Sequence, residues 1–247
     1  MAAPTERSKE PRVVPPKKGT RAAALDLIFR PLEEHGEGFR HGALGAPGYG
    51  KTYHQRAVIE AALDRDLVDL VLTHDVKGRE AEFDGLELVT AAAAPAPAAA
   101  EHHRHLVYRG DVLNDVECPA EEVALLGKRL LQKEQLRVLL NVGELDNCLT
   151  DGGRSWRAPT VRWFSSQGRQ LRGCLTWTNQ QPKRCPDEIF DQSTTIAFLH
   201  LDARSSNYLG NTLLLDADLV DVLPKLARGE FVLWVPGLEW DHLVYRF

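Results

Sequence analysis

Residues 41–55 read HGALGAPGYGKTYHQ, and this stretch decides what the rest of the chain has to build. Gly45, four intervening residues and then Gly50-Lys51-Thr52 match the spacing of a phosphate-cradling loop. Gly45, Gly48 and Gly50 let the backbone curl so that several N–H groups face one anion. A helix starting near Gly50 adds the partial positive charge of its N-terminus. In such a loop Lys51 reaches the β- and γ-phosphates, and the Thr52 hydroxyl is a ligand for Mg2+. Tyr49 and Tyr53 complete the candidate nucleotide-binding set of Gly45, Gly48, Tyr49, Gly50, Lys51, Thr52 and Tyr53.

The motif carries weight only between a strand and a helix. FRHGALG (39–45) reads as the strand, and GKTYHQRAVIEAALDRD (50–66) as the helix. LVDLVLTHD (67–75) is an almost unbroken apolar run, as expected of a strand buried on both faces. HLVYRGD, LRVLLNVGELDN, GCLTWTNQQP, TTIAFLHLD, GEFVLWVPG and DHLVYRF read as further strands. Helices are expected at 20–36, from Pro119 to Gln135, over 158–172 and over much of 205–222. Strands alternating with helices predict an α/β fold with a mostly parallel central sheet and helices on both faces. Residues 1–20 read as a flexible, basic, Pro-rich arm, and 21–247 as one domain with an Ala/Pro-rich loop near 91–105.

At 247 residues, with 43% hydrophobic and 26% charged residues, the chain has the composition of a globular domain with a sizeable core. No apolar run approaches a bilayer span, and the N-terminus lacks the hydrophobic region of a secretory signal. Cys118, Cys148, Cys174 and Cys185 are scattered, which predicts free thiols in a reducing, cytoplasmic compartment. The net charge of -5 argues against a nucleic-acid partner only on average. Between Gly152 and Pro186 stand Arg154, Arg157, Arg162, Arg169, Arg172, Lys183 and Arg184, with no Asp or Glu. Local basic surface is what neutralises phosphates, so Arg154, Arg157 and Arg162 are candidate DNA contacts.

Hydrolysis requires an acidic strand end. The apolar run LRVLLNV (136–142) leads through Gly143 to Glu144, the candidate general base for the attacking water. Gly143 occupies the place where an Asp would hold the metal shell. Asp146, two residues beyond Glu144, points the same way if the strand continues, and is the second candidate metal ligand beside Thr52. In TNQQP (178–182), Gln180 falls at the C-terminal edge of the sheet, where an amide can orient water or contact the γ-phosphate. No N-K-x-D loop is present, which favours ATP over GTP.

Taken in order, GAPGYGKT, LTHDVKG, VLLNVGELDN and TNQQP resemble the FtsK–HerA superfamily of P-loop ATPases. The resemblance is strongest to the small genome-packaging ATPases of tailless viruses with internal membranes. LPKLARGEFVLW (223–234) resembles the Gly-containing turn into a late strand of that superfamily. The resemblance implies a RecA/FtsK-like fold, with phosphate binding by Gly48, Gly50 and Lys51 and metal ligation by Thr52. It also implies water activation by Glu144 and γ-phosphate sensing by Gln180. Asp75 and Lys77 match a D-x-K-G motif. Further implications are ATP and Mg2+ as ligands, a homo-oligomeric ring (commonly a hexamer), and an arginine donated between subunits. Arg169 is the first candidate for that arginine, with Arg204 and Arg184 as rivals.

Two functional readings follow. One is an ATP-driven double-stranded DNA translocase, cytoplasmic in a host cell or virion-associated, serving a capsid portal vertex. The chain has no room for an added membrane domain, which favours that packaging branch. The other is a nucleotide-binding assembly or secretion factor with weak ATPase activity and no DNA translocation.

Overall fold

The computed structural model describes residues 17–75, 87–89, 104–108, 118–150, 155–238 and 243–246. In chain order the strands are β1 (Lys17–Lys18), β2 (Arg40–Leu44), β3 (Leu70–His74), β4 (Glu87–Val89), β5 (His105–Tyr108) and β6 (Val138–Val142). They continue with β7 (Leu149–Thr150), β8 (Ser155–Trp156), β9 (Cys174–Asn179), β10 (Thr195–Phe198), β11 (Glu230–Trp234) and β12 (Leu243–Arg246). The helices are α1 (Arg21–His35), α2 (Lys51–Asp64), α3 (Pro119–Lys133), α4 (Pro159–Ser166), α5 (Asp187–Gln192), α6 (Ala203–Leu213) and α7 (Ala217–Val222).

Among the described residues ten strands form one sheet in the order β1-β12-β11-β10-β2-β9-β6-β3-β5-β4, and β7 and β8 pair as a separate small ribbon. From β10 to β4 every neighbour is parallel, while β11 runs antiparallel to both β10 and β12. The α/β fold with a mostly parallel sheet is therefore the one adopted. β9 lies between β2, which leads into the phosphate loop, and β6, which leads to Glu144. That order places all three strand ends side by side.

Each face of the sheet carries its own core. Ala24, Ile28 and Phe29 of α1 and Val58, Ile59 and Ala62 of α2 pack on Ala43, Val71, Val107, Leu139 and Ala197. On the other face Val123, Leu130, Val161, Phe164, Phe190, Leu209 and Leu219 pack on Leu44, Leu72, Leu140, Leu175, Trp177 and Phe198. Alternation along buried strands sends successive side chains to opposite layers, and both layers need covering. Trp177 is fully buried, and a Cβ at Gly42 on the adjacent strand would overlap its ring. A glycine stands there because the indole fills the space.

A polar ladder crosses the α2 face. The Thr176 hydroxyl donates to Asn141 Oδ1 at 2.8 Å, and Asn141 Nδ2 donates to Thr73 Oγ1 at 3.2 Å. Thr73 Oγ1 also bonds His105 Nε2 at 2.8 Å. Further along, His41 joins Thr195 Oγ1 at 2.8 Å and His54 Nε2 at 2.7 Å. Burial pushes His41 down to about 3 and holds His54 well below its ordinary range, so the pair is neutral, with one ring donating to the other. Buried polar groups that satisfy one another in this way fix register, because a slipped strand would leave them unpaired.

Two boundaries differ from the sequence reading. Lys17–Lys18 pair in parallel with β12 and the Thr20 side chain caps α1 through the Ala23 N–H, so the segment read as an arm joins the fold from residue 17. The single helix expected over 158–172 stops at Ser166, and a 3-10 turn, Gly168–Leu171, follows. Gly168 favours the break, and Arg172 with φ 63 turns the chain back into β9. The Ala/Pro-rich tract lies outside the described residues through position 103.

Candidate nucleotide site

The phosphate loop leaves β2 at Leu44 and enters α2 at Lys51. Gly48 has φ 79 and Gly50 has φ 100, the left-handed backbone that the curl demands. Nothing lies within 4 Å of a Cβ built on Gly48, so that stretch of backbone is open to a ligand. The other end of the loop is fixed. Gly45 N–H donates to the Asn179 carbonyl at 3.3 Å, and Ala46 N–H to the His200 carbonyl at 2.8 Å. The Lys51 ammonium donates to the carbonyls of Gly45 at 2.8 Å and Ala46 at 3.1 Å, which holds its charge inside the curl. Tyr49 stacks on His200 with ring centroids 4.2 Å apart, and Tyr53 is half exposed on the first turn of α2.

Glu144 follows the end of β6 with φ 57 and ψ 70, a conformation that costs a non-glycine residue about 1–3 kcal/mol. Two contacts from β9 and its exit hold it there. The Glu144 N–H donates to Thr178 Oγ1 at 3.1 Å, and Gln180 Nε2 donates to Glu144 Oε1 at 2.5 Å. Gln180 is positioned in turn by Asn179, whose Oδ1 accepts the Gln180 N–H at 2.8 Å while its Nδ2 donates to Cys185 Sγ at 3.1 Å. The carboxylate and the amide singled out in the sequence therefore form one unit, beside the loop that Asn179 also anchors.

The expectation for Asp146 is corrected. β6 ends at Val142, and residues Leu145–Cys148 form a 3-10 turn, so Asp146 does not continue the strand past Glu144. Its carboxylate lies 3.4 Å from Arg184, on the turn after β9. Asp75, by contrast, stands at the end of β3 with 2% of its surface exposed. Lys77 lies outside the described residues. Thr52, Glu144 and Asp75 offer only oxygen donors, the chemistry that suits Mg2+.

The basic stretch is less bare in space than along the chain. Arg162 pairs with Glu188 at 3.0 Å, Arg169 with Glu37 at 3.8 Å and Arg184 with Asp146. The acids come from distant segments, which a local count does not see. Such exposed pairs are weak, about 0–1 kcal/mol, and phosphate can displace them. Arg157 is exposed, and its N–H donates to the Cys148 carbonyl at 2.8 Å, four residues beyond Glu144. Arg154 lies outside the described residues. Arg169 sits at the opposite end of the sheet from the phosphate loop, where its carbonyl accepts the Gly38 N–H at 3.0 Å.

The sequence reading missed Thr178, Asn179 and His200. Thr178 and Asn179 lie within the quoted TNQQP segment, but only the strand pairing reveals that they serve Glu144 and the phosphate loop. All four cysteines are free and buried. Among the described residues no helix is long and apolar enough to cross a membrane.

No family model matches the chain, and no curated protein matches it in sequence. Solved structures do. The genome packaging NTPase B204 from Sulfolobus turreted icosahedral virus 2, in complex with AMPPCP, superposes with a TM-score of 0.63 at 13% identity, over 81% of this chain and 93% of that one. B204, the DNA-packaging ATPase from Sulfolobus turreted icosahedral virus, gives a TM-score of 0.58 at 15% identity, over 80% of this chain and 92% of that one. VirB4 of Thermoanaerobacter pseudethanolicus gives 0.59 at 11% identity, over 81% and 87%. At these identities the likeness is one of fold, and the fold found is the α/β P-loop fold expected from the sequence.

Proposed function

We propose that the chain is an ATPase that drives double-stranded DNA through a homo-oligomeric ring, as a genome-packaging motor. The observation that carries this reading is the convergence of the Gly45–Thr52 loop, Glu144 and Gln180 at one edge of the sheet. Backbone N–H groups and Lys51 bind the phosphates, and the Thr52 hydroxyl would hold Mg2+. Magnesium, when bound, would supply charge neutralisation to the phosphates. Glu144 takes the proton of the attacking water, and Gln180 orients that carboxylate and senses the γ-phosphate. An arginine of the neighbouring subunit stabilises the transferred phosphoryl group, with Arg169 the first choice and Arg184 and Arg204 the alternatives.

DNA meets Arg154, Arg157 and Arg162 through its phosphates, without sequence readout. The backbone bond from Arg157 to Cys148 supports a short route from that contact to the catalytic turn. A hexameric ring at a capsid portal vertex, in the host cytoplasm or on the virion, is the corresponding assembly. Gly143 favours a second reading, an assembly or secretion factor that binds ATP and turns it over weakly, and the fold likeness to VirB4 is compatible with it.

Glu144→Gln separates the two. A motor loses function together with ATP hydrolysis, whereas a nucleotide-dependent assembly factor keeps its function. Packaging or DNA movement that survives Glu144→Gln contradicts the translocase.

A further inference from the structure

We propose that Asp75 is the carboxylate that holds the water shell of the magnesium–nucleotide complex, in place of the acidic residue that Gly143 replaces on β6. The inference rests on the P-loop ATPase reading. It answers a question that reading leaves open, namely which acid stands in for the missing one.

Register places Asp75 beside the gap. His74 pairs with Val142 across the parallel β3–β6 ladder. The ladder continues past both strand ends, with Gly143 N–H donating to the His74 carbonyl at 3.3 Å and Asp75 N–H to the Tyr108 carbonyl at 3.0 Å. Asp75 is therefore level with Gly143, one strand away. That last bond carries the ladder one residue past His74, so the alternation of side chains is extended to Asp75. Thr73, two residues earlier, faces the α2 side, where it bonds Asn141. Position 143, two residues after Asn141, faces the same side. The Asp75 carboxylate and the missing side chain at 143 thus belong to one face.

The first turns of α2 cover that face. Gln55 Nε2 reaches the Val142 carbonyl at 3.5 Å, and Lys51 lies one turn earlier on the same side of the helix. Between Asp75 and the helix, position 143 contributes no side chain. A Cβ there would meet only the His74 carbonyl, at an ordinary 3.4 Å, so glycine is not required by crowding. Its consequence is room for ordered water next to a buried carboxylate. Mg2+ dehydrates reluctantly and keeps several waters, so a carboxylate one strand further away serves it through that shell. The rival, Asp146, is held by Arg184 beyond the turn at Glu144.

The test uses the full chain, a fluorescent non-hydrolysable ATP analogue and Mn2+ as the probe metal. The readout is the ratio of nucleotide dissociation constants in EDTA and in Mn2+, with Mn2+ occupancy followed by EPR. Wild type binds the nucleotide more tightly with Mn2+. In Asp75→Asn that ratio falls by about tenfold, the usual effect of losing an outer-shell partner. Adding Gly143→Asp to Asp75→Asn returns the ratio to within about threefold of wild type, because the carboxylate is restored on β6.

If Asp75→Asn melts below wild type, Asp75→Glu carries the same test. It keeps the charge but moves the carboxylate by one methylene, and a drop of about threefold is expected. An unchanged ratio in Asp75→Asn or in a folded Asp75→Glu overturns the assignment while leaving the nucleotide site intact. Wild type that binds no nucleotide under either condition overturns the site itself, and the assignment with it.

Discussion

Gln180 Nε2 donates to Glu144 Oε1 at 2.5 Å, joining the exit of β9 to the exit of β6 across the strand ends next to the phosphate loop. The proposed base is thus held by the proposed sensor, and loss of either has a different consequence. Glu144→Gln removes the proton acceptor and is expected to lower kcat by about 10²–10⁴-fold while ATP still binds. Gln180→Ala leaves the acceptor in place but removes the amide that orients it, and is expected to cost less in kcat than Glu144→Gln. Single-turnover hydrolysis with a parallel binding assay checks both. A Glu144→Gln variant with wild-type turnover would remove Glu144 from the chemistry.

Thr178 acts one step further back. Its hydroxyl accepts the Glu144 N–H at 3.1 Å and so supports a backbone with φ 57. Thr178→Val keeps the shape and leaves that N–H without its acceptor, a cost of about 1–3 kcal/mol. kcat is expected to fall about tenfold or more, with KM for ATP nearly unchanged, and Thr178→Ser is expected to restore most of it. An effect confined to KM would contradict a role in positioning Glu144.

Buried histidines make the fold acid-sensitive. Burial pushes His41 down to about 3 and both His74 and His105 to about 4, and His54 is also well below its ordinary range. An unfolded histidine takes a proton near pH 6.5, so below that the unfolded chain binds more protons than the folded one. Stability is then full above about pH 6.5 and falls as pH drops toward 4, at about 1.4 kcal/mol per pH unit for each such histidine. Urea unfolding at pH 7.5 and pH 5.5 is expected to show a lower midpoint at pH 5.5. Equal midpoints would mean that these rings are protonated or solvated in the folded state.

The thiols differ sharply. A hydrogen bond from Cys148 pulls Cys118 down to about 7, while burial drives Cys174 and Cys185 up to about 12. Alkylation of the native protein by iodoacetamide, read by mass spectrometry, is expected to modify Cys118 first, with a midpoint near pH 7. Equal labelling of all four cysteines would contradict this ordering.

Local signals made the strands and helices around the loop legible. GAPGYGKT sits where its spacing places it, between β2 and α2, and the helix expected from Pro119 to Gln135 ends two residues early, at Lys133. Glu144 and Gln180 were found because an acid and an amide end apolar runs. Their contact was not legible, because it depends on β9 inserting between β2 and β6, and strand order is set by packing rather than by periodicity. The same reason hides Asp75 beside Gly143. The acids that pair with Arg162, Arg169 and Arg184 come from residues 188, 37 and 146, so counting charge along the chain overstated the bare basic surface. Asp146 was misplaced because nothing in NVGELDN announces the left-handed turn at Glu144.

The central claim is that ATP turnover here is spent on DNA. The most direct measurement is the steady-state ATPase rate of the full chain with and without linear double-stranded DNA, beside the Lys51→Ala variant. The account predicts a rate that rises with DNA, declines with increasing salt as phosphate contacts are lost, and vanishes in Lys51→Ala. A Lys51-dependent rate that is indifferent to DNA at every salt concentration would contradict the translocase and leave a nucleotide-driven assembly factor.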